Sequence, residues 1–181
     1  MKLSEIKGNF VDTNESLSQL TSKDRELWHE FFAFDENSCR QIVKFLDRGP
    51  ACGLKEVQAS EKARNSLKSF FKSKNIVLPK YPALYRGTLL ERGHNWEVGK
   101  EAIFKLNRVS YWSQNIVHAR YFVDEDDPAA LLRTDANHMI LFDLNVLPFP
   151  GGRDDREPEL ILRPSSMRVE VMEIHNDDED E

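Results

Sequence analysis

The chain has 181 residues, of which 40% are hydrophobic and 31% are charged, and its formal net charge is −6. These values fit one globular domain with a substantial core, and the acidic balance argues against a large nonspecific grip on nucleic acid. No apolar run approaches the roughly 18 residues of a membrane helix, and the first ten residues lack the apolar stretch of a signal peptide. We therefore expect a cytoplasmic protein that does not bind a membrane.

The first part of the chain has a helical pattern. A first helix is predicted to begin after Thr21, whose hydroxyl can cap it. A second helix is predicted to place Cys39 on an apolar face and to end before Gly49, and a third is predicted to run from about Leu54. Residues 1–78 are therefore predicted to form a helical N-terminal region.

From residue 79 onward the pattern changes to short strands. Helices that come first and strands that come later indicate an α+β fold. The region 79–175 is predicted to be its strand-rich core, with its last two strands paired as a hairpin. Residues 176–181, five of them acidic, are expected to be a disordered tail, with an acidic interaction tail as the alternative. Strands are predicted at 83–90, 138–147, 159–163 and 167–174, one or two strands at 101–113, and a short helix at 115–122.

Several familiar chemistries have no motif in this sequence. There is no glycine-rich phosphate loop of either common type and no HExxH metal pair. The two cysteines, Cys39 and Cys52, match no zinc pattern and imply no disulfide framework. His118 and His138 are expected to be packed or surface residues, and the acidic stretch 124–127 lacks the glycine of a calcium loop. We expect no metal site.

Three separated segments carry residues whose side chains are suited to catalysis or ligand binding. They are Arg86-Gly87 on a predicted strand, Ser110-Tyr111-Trp112-Ser113 before the short helix, and Glu157-Pro158-Glu159 at the mouth of an apolar strand. Residues two apart on a strand point the same way, so two glutamates in this pattern would hold two negative charges on one face. Such an arrangement costs energy unless a cation or a ligand offsets the repulsion.

In their order, spacing and predicted context, these segments resemble the arginine–serine–glutamate class of mono-ADP-ribosyltransferases, which includes bacterial toxins and bacteriophage enzymes. The resemblance covers about residues 83–174. It implies a core of two packed, mainly antiparallel sheets with an NAD cleft between them, preceded by a helical region. It also implies a glycosyltransferase that uses NAD as its substrate and modifies a protein acceptor, in the cytoplasm of its own cell or of a host.

The resemblance assigns roles residue by residue. Glu159 matches the catalytic glutamate, which stabilises the positive charge that develops on the ribose. Glu157 matches the glutamate that goes with arginine as the acceptor, because a carboxylate can bind a guanidinium and help remove its proton. Arg86 matches the arginine whose planar fork contacts pyrophosphate or ribose, and Gly87 would let the ligand approach the backbone.

The serine segment departs from the usual Ser-x-Ser or Ser-Trp-Thr pattern. Counting six residues back from Ala119 places the last hydroxyl at Ser113, which puts Tyr111 where the first serine normally stands. The partner of the catalytic glutamate is then Ser110 brought in by a bulge, Tyr111, or Ser113 alone. Tyr111 and Trp112 are expected beside the cofactor, although core packing also accounts for Trp112.

Alternatives to this function stay open at the level of sequence. The two glutamates alone could be strand-edge charges that prevent aggregation. The enzyme could hydrolyse NAD or modify another acceptor such as nucleic acid. A non-catalytic interaction protein on the same fold is a third hypothesis; an intact Arg86 and Glu159 argue against it, and the irregular Tyr111 argues for it. The loop 148–156 is either an acceptor-recognition loop or an ordinary turn.

Overall fold

The computed structural model describes residues 20–48, 54–90, 94–123, 128–148 and 159–175. The chain divides into two compact units. The first comprises Met1–Pro79 and Leu141–Arg156, and the second comprises Lys80–Ile140 and Glu157–Glu181. No helix within the described ranges is long and apolar enough to cross a membrane.

Three helices make up most of the described part of the first unit. They are α1 (Ser22–Phe34), α2 (Glu36–Arg48) and α3 (Leu54–Ser73). Thr21 caps α1 as predicted, because its hydroxyl oxygen accepts the amide of Asp24 at 3.2 Å. The three predicted helices are therefore confirmed.

The core of the first unit is apolar and strongly aromatic. Residues three or four positions apart on each helix share a face, so their side chains can pack together against the neighbouring helices. Phe31 and Phe70 are typical, with ring centroids 5.3 Å apart. The buried members from the helices are Trp28, Phe31, Cys39, Ile42, Val43, Phe45, Leu46, Val57, Ala63, Leu67, Phe70 and Phe71.

The second unit is built on an antiparallel sheet. Six of the strands lie wholly within it, in the order β2-β7-β4-β1-β3-β6, and a seventh, β5, spans the boundary between the units. A short helix, α4 (Ile116–Arg120), follows β3. The strands are β1 (Leu84–Leu89), β2 (Glu101–Leu106), β3 (Ser110–Ser113), β4 (Ala129–Thr134), β5 (Ile140–Asp143), β6 (Glu159–Leu162) and β7 (Ser165–His175).

Two predictions about the strands are wrong. The prediction missed β4, whose residues are all buried except Arg133, so its sequence lacks the alternation that marks a half-buried strand. The two C-terminal strands do not form a hairpin: β6 pairs with β3, whereas β7 pairs with β2 and β4. The chain leaves β6 through Arg163, whose amide donates to the carbonyl of Met139 at 3.1 Å.

The predicted strand 138–147 is shorter in the structure. It is confined to β5, which follows a 3₁₀ turn at Asn137–Met139.

The α+β class and the antiparallel pairing are confirmed. The strands form one hydrogen-bonded sheet and not the two packed sheets that were predicted. Its two parts, β2-β7-β4-β1 and β3-β6-β5, are joined between β1 and β3. Those two strands share a single register pair, Tyr85 with Ser113. By contrast, β1 and β4 share six pairs, and β3 and β6 share four. The sheet is therefore continuous but narrowly connected beside Arg86.

Candidate functional site

The sheet brings the three motif-bearing segments onto neighbouring strands. Arg86 lies on β1, the serine segment forms β3, and Glu159 begins β6. The Cα of Ser113 is paired with Tyr85 on one side and with Glu159 on the other. Pairing across three strands thus places segments that are distant in the chain at one end of the β3 ladder.

Arg86 is partly buried and lacks a complete set of partners. Its Nη1 donates to the carbonyl of Tyr111 at 2.6 Å, and its buried Nε has no hydrogen-bond partner among the described residues. Burial, together with the nearby charge of Arg108, lowers the pKa of Arg86 to about 10. No carboxylate among the described side chains lies within 4 Å of this guanidinium. A desolvated cation with an unused donor is suited to an anionic ligand.

Ser113 combines burial with an available proton. It is 9% exposed, and its hydroxyl oxygen accepts the amide of Asn115 at 2.9 Å. The Asn115 side chain in turn caps α4 by accepting the amide of Val117 at 2.9 Å. A serine hydroxyl both accepts and donates, so the turn that positions Ser113 leaves its proton for another acceptor.

Ser110 lies at the opposite end of β3. Its Cα partner is Leu162, three positions from the pair that Ser113 makes with Glu159, which is about 10 Å along a strand. Its hydroxyl is 2% exposed and accepts the indole Nε1 of Trp112 at 2.9 Å. The four residues of β3 pair in continuous register, so the bulge that would bring Ser110 to the glutamate is not formed. The register favours Ser113.

Trp112 belongs to the core of the sheet. It is 2% exposed and packs edge-to-face on Phe104, with ring centroids 5.9 Å apart. Core packing, the other role expected for Trp112, is therefore confirmed, and its contact with the cofactor stays a prediction. Tyr111 is half-buried and contributes its main-chain carbonyl to Arg86.

Gly87 also owes its place to packing. A Cβ added there would lie 2.5 Å from the carbonyl oxygen of Ala119 and 2.7 Å from the Cβ of Phe122. The space beside its Cα is occupied by α4 and the residues that follow it, and the approach of a ligand to the Gly87 backbone stays a prediction. Glycine is required because β1 and α4 approach each other closely.

Several predicted features lie outside the described residues. Glu157, most of the loop 148–156 and the tail 176–181 are among them, and for Glu159 the structure gives the backbone pairing. Within the described ranges no group of three or more histidine, cysteine or acidic side chains could hold a metal ion.

Sequence reasoning missed two residues of this region. Arg108 precedes β3 and acts electrostatically on Arg86. Asn115 fixes the turn that holds Ser113. Asparagine two residues after a serine and directly before a helix is a recognisable capping pattern, so the sequence could have shown the second. Nothing in the sequence marks Arg108.

Comparisons with known proteins add little. No protein-family model matches this chain, and no curated protein matches it. Among solved structures, it is similar to Vis toxin, an ADP-ribosyltransferase from Vibrio splendidus, at 17% sequence identity and a TM-score of 0.34. That alignment covers 87% of this chain and 76% of the other. A similarity at this TM-score supports no conclusion about function, which has to be inferred from the residues themselves.

Proposed function

We propose that the protein is a mono-ADP-ribosyltransferase that moves ADP-ribose from NAD to an arginine side chain of a protein, with residues 79–175 as its catalytic core. The observation that carries this proposal is the register across β1, β3 and β6. It aligns Tyr85, Ser113 and Glu159 on neighbouring strands, with Arg86 adjacent to the first of them. The three segments that resemble the transferase class thus share one neighbourhood.

Arg86 supplies the anion-binding function in this proposal. Its guanidinium already donates to the carbonyl of Tyr111, which fixes the side chain, and its buried Nε has no partner in the part of the chain that the structure describes. The diphosphate of NAD offers several acceptor oxygens to a planar fork. Hydrogen bonds from Arg86 to the bound diphosphate would replace the hydrogen bonds to water that the guanidinium loses through burial.

Glu159 supplies the charge that catalysis needs. In the reaction the bond between nicotinamide nitrogen and ribose C1′ breaks, and neutral nicotinamide leaves with the electron pair. The ribose becomes cationic, and a carboxylate beside it lowers the barrier. Ser113 is paired with Glu159, and its hydroxyl can donate as well as accept, so it is suited to hold that carboxylate in position.

Glu157 supplies the arginine specificity. A guanidinium is charged at ordinary pH and is a poor nucleophile. In the proposed step a guanidino nitrogen bonds to C1′, and the proton it releases passes to the carboxylate of Glu157. The cationic acceptor and the cationic ribose together offset the repulsion between the two glutamates.

Two variants test the proposal with labelled NAD, agmatine as a simple guanidino acceptor, and a cell lysate. Glu159→Gln should lower both transfer and NAD hydrolysis by about a hundredfold or more. Glu157→Gln should spare hydrolysis and NAD binding but lower transfer to agmatine steeply. Circular dichroism and unfolding curves establish that both variants are folded.

Each outcome assigns a function. A labelled protein band supports transfer, release of free ADP-ribose alone supports an NAD glycohydrolase, and label on nucleic acid supports a different acceptor. Binding of NAD without turnover supports an interaction protein. Full transfer by Glu157→Gln would remove arginine as the inferred acceptor, and near-normal turnover by folded Glu159→Gln would refute the catalytic assignment.

A further inference from the structure

A second cation lies three residues before the strand residue whose carbonyl Arg86 binds. Arg108 is exposed and occupies the bend between the end of β2 and the start of β3. It precedes Tyr111 by three residues, and the carbonyl of Tyr111 is the acceptor for the Arg86 guanidinium. Three residues span at most about 10 Å, and an arginine side chain reaches a large part of that distance. Arg108 can therefore approach an anion bound at Arg86.

The positive charges of Arg86 and Arg108 have no carboxylate partner among the described side chains. Arg120 and Arg133, on the same unit, are paired with Glu173 and Glu170. Arg86 and Arg108 have no carboxylate within 4 Å among the described side chains, and the repulsion from Arg108 adds to the effect of burial in lowering the pKa of Arg86. Two like charges held near each other favour binding of an anion that can neutralise both.

We propose that Arg108 is a second phosphate-binding residue, and that Arg86 and Arg108 together hold the diphosphate group of a dinucleotide. Arg86 is partly buried and anchored to a main-chain carbonyl, so it gives a fixed donor. Arg108 is exposed and adds the second charge that a diphosphate needs. The proposal depends on the proposed function only for the identity of the dinucleotide as NAD.

The test is a calorimetric titration of three probes: inorganic pyrophosphate, ADP-ribose and NAD. The variant is Arg108→Gln, and the matched control is Arg168→Gln, which removes the same charge from an 80% exposed side chain of β7. We expect Arg108→Gln to weaken all three ligands by about tenfold at low salt, and by less at high salt, because an exposed charge is screened. Arg168→Gln should change each affinity by less than about twofold.

A structural role for Arg108 predicts a different result. Loss of a supporting contact would lower the unfolding midpoint, whereas loss of a repulsive neighbour of Arg86 should leave that midpoint unchanged or raise it. Unaltered affinity for pyrophosphate in Arg108→Gln would overturn the proposal. The same conclusion follows if the wild type binds no pyrophosphate, or if Arg168→Gln is equally impaired.

The proposed function and the role of Arg108 can fail separately. If pyrophosphate binding depends on Arg108 but NAD does not bind, the phosphate-binding role of Arg108 is supported and the transferase assignment is refuted. If NAD binding depends on Arg86 and does not change in Arg108→Gln, the transferase assignment is supported and the phosphate-binding role of Arg108 is refuted.

Discussion

The close approach of β1 and α4 at Gly87 gives a prediction that can be worked out from the structure. In Gly87→Ala the new methyl would meet the carbonyl oxygen of Ala119 at 2.5 Å, the Cβ of Phe122 at 2.7 Å and a methyl group of Val123 at 3.0 Å. An ordinary carbon–oxygen contact is about 3.3 Å or longer, so α4 would have to move by roughly 0.8 Å. Two of the three opposing atoms belong to the backbone or are attached directly to it and cannot rotate away.

The magnitude follows from two opposing effects. Overpacking against a rigid neighbour costs about 3 kcal/mol, near the upper end of the usual range. Alanine in a strand regains about 1 kcal/mol, because it restricts the unfolded chain more than glycine does. We therefore expect Gly87→Ala to lower the free energy of unfolding by about 2 kcal/mol, a large part of the stability of a small protein.

Urea unfolding followed by circular dichroism measures this change, with Gly99→Ala as the control. Gly99 has a φ of +77°, and no atom of the described residues lies within 4 Å of an added Cβ, so its substitution carries only backbone strain of about 1 kcal/mol. The role first predicted for Gly87, admission of a ligand, gives the opposite pattern: normal stability with weakened NAD binding. A loss of stability no greater than that of Gly99→Ala would refute the packing argument.

Four further substitutions test other contacts. Arg86→Lys keeps the charge but loses the fork, so calorimetry should show NAD affinity lowered by about tenfold, and unchanged affinity would remove Arg86 from the site. Ser113→Ala should lower turnover more than Ser110→Ala, because only Ser113 pairs with Glu159, and the reverse ranking would contradict the register argument. Asp35→Ala should cost about 1 kcal/mol at pH 7 in urea unfolding. Hydrogen bonds from the Ser38 amide and the Ser66 hydroxyl lower the pKa of Asp35 below 3.8. The stability that the Asp35 carboxylate contributes is therefore present above pH 3.8 and is lost as the pH falls through the lowered pKa. If the difference in unfolding free energy between wild type and Asp35→Ala did not change with pH, this reasoning would be contradicted.

The helices of the first unit were predictable because their information is local. Thr21 and Asp24 form a cap within one turn, and the spacing of Phe70 and its neighbours defines a buried face without reference to any other part of the chain. The strand bearing Arg86 was also predictable, since a short β-rich run stands between prolines and polar residues.

The pairing of strands was not predictable for a physical reason. A strand's partner is set by contacts between distant residues, and adjacency in sequence gave the wrong answer for β6 and β7. The strand β4 carries no alternation because both of its faces are buried. The approach of Arg108 to Arg86 depends on the pairing of β1 with β3, so periodicity alone could not reveal it.

The pairing of β1 with β3 also explains why an arginine stands at position 86. Continued antiparallel pairing beyond Tyr85 and Ser113 would bring Arg86 opposite Trp112, but the ladder between these strands consists of one pair only. The Arg86 side chain then bonds the carbonyl of Tyr111 on the neighbouring strand. An arginine can make this bond with one nitrogen and still offer others to a ligand, because its donors are spread over a rigid plane. A lysine carries its three donors on one nitrogen, so the carbonyl and the phosphate would both have to approach that single atom.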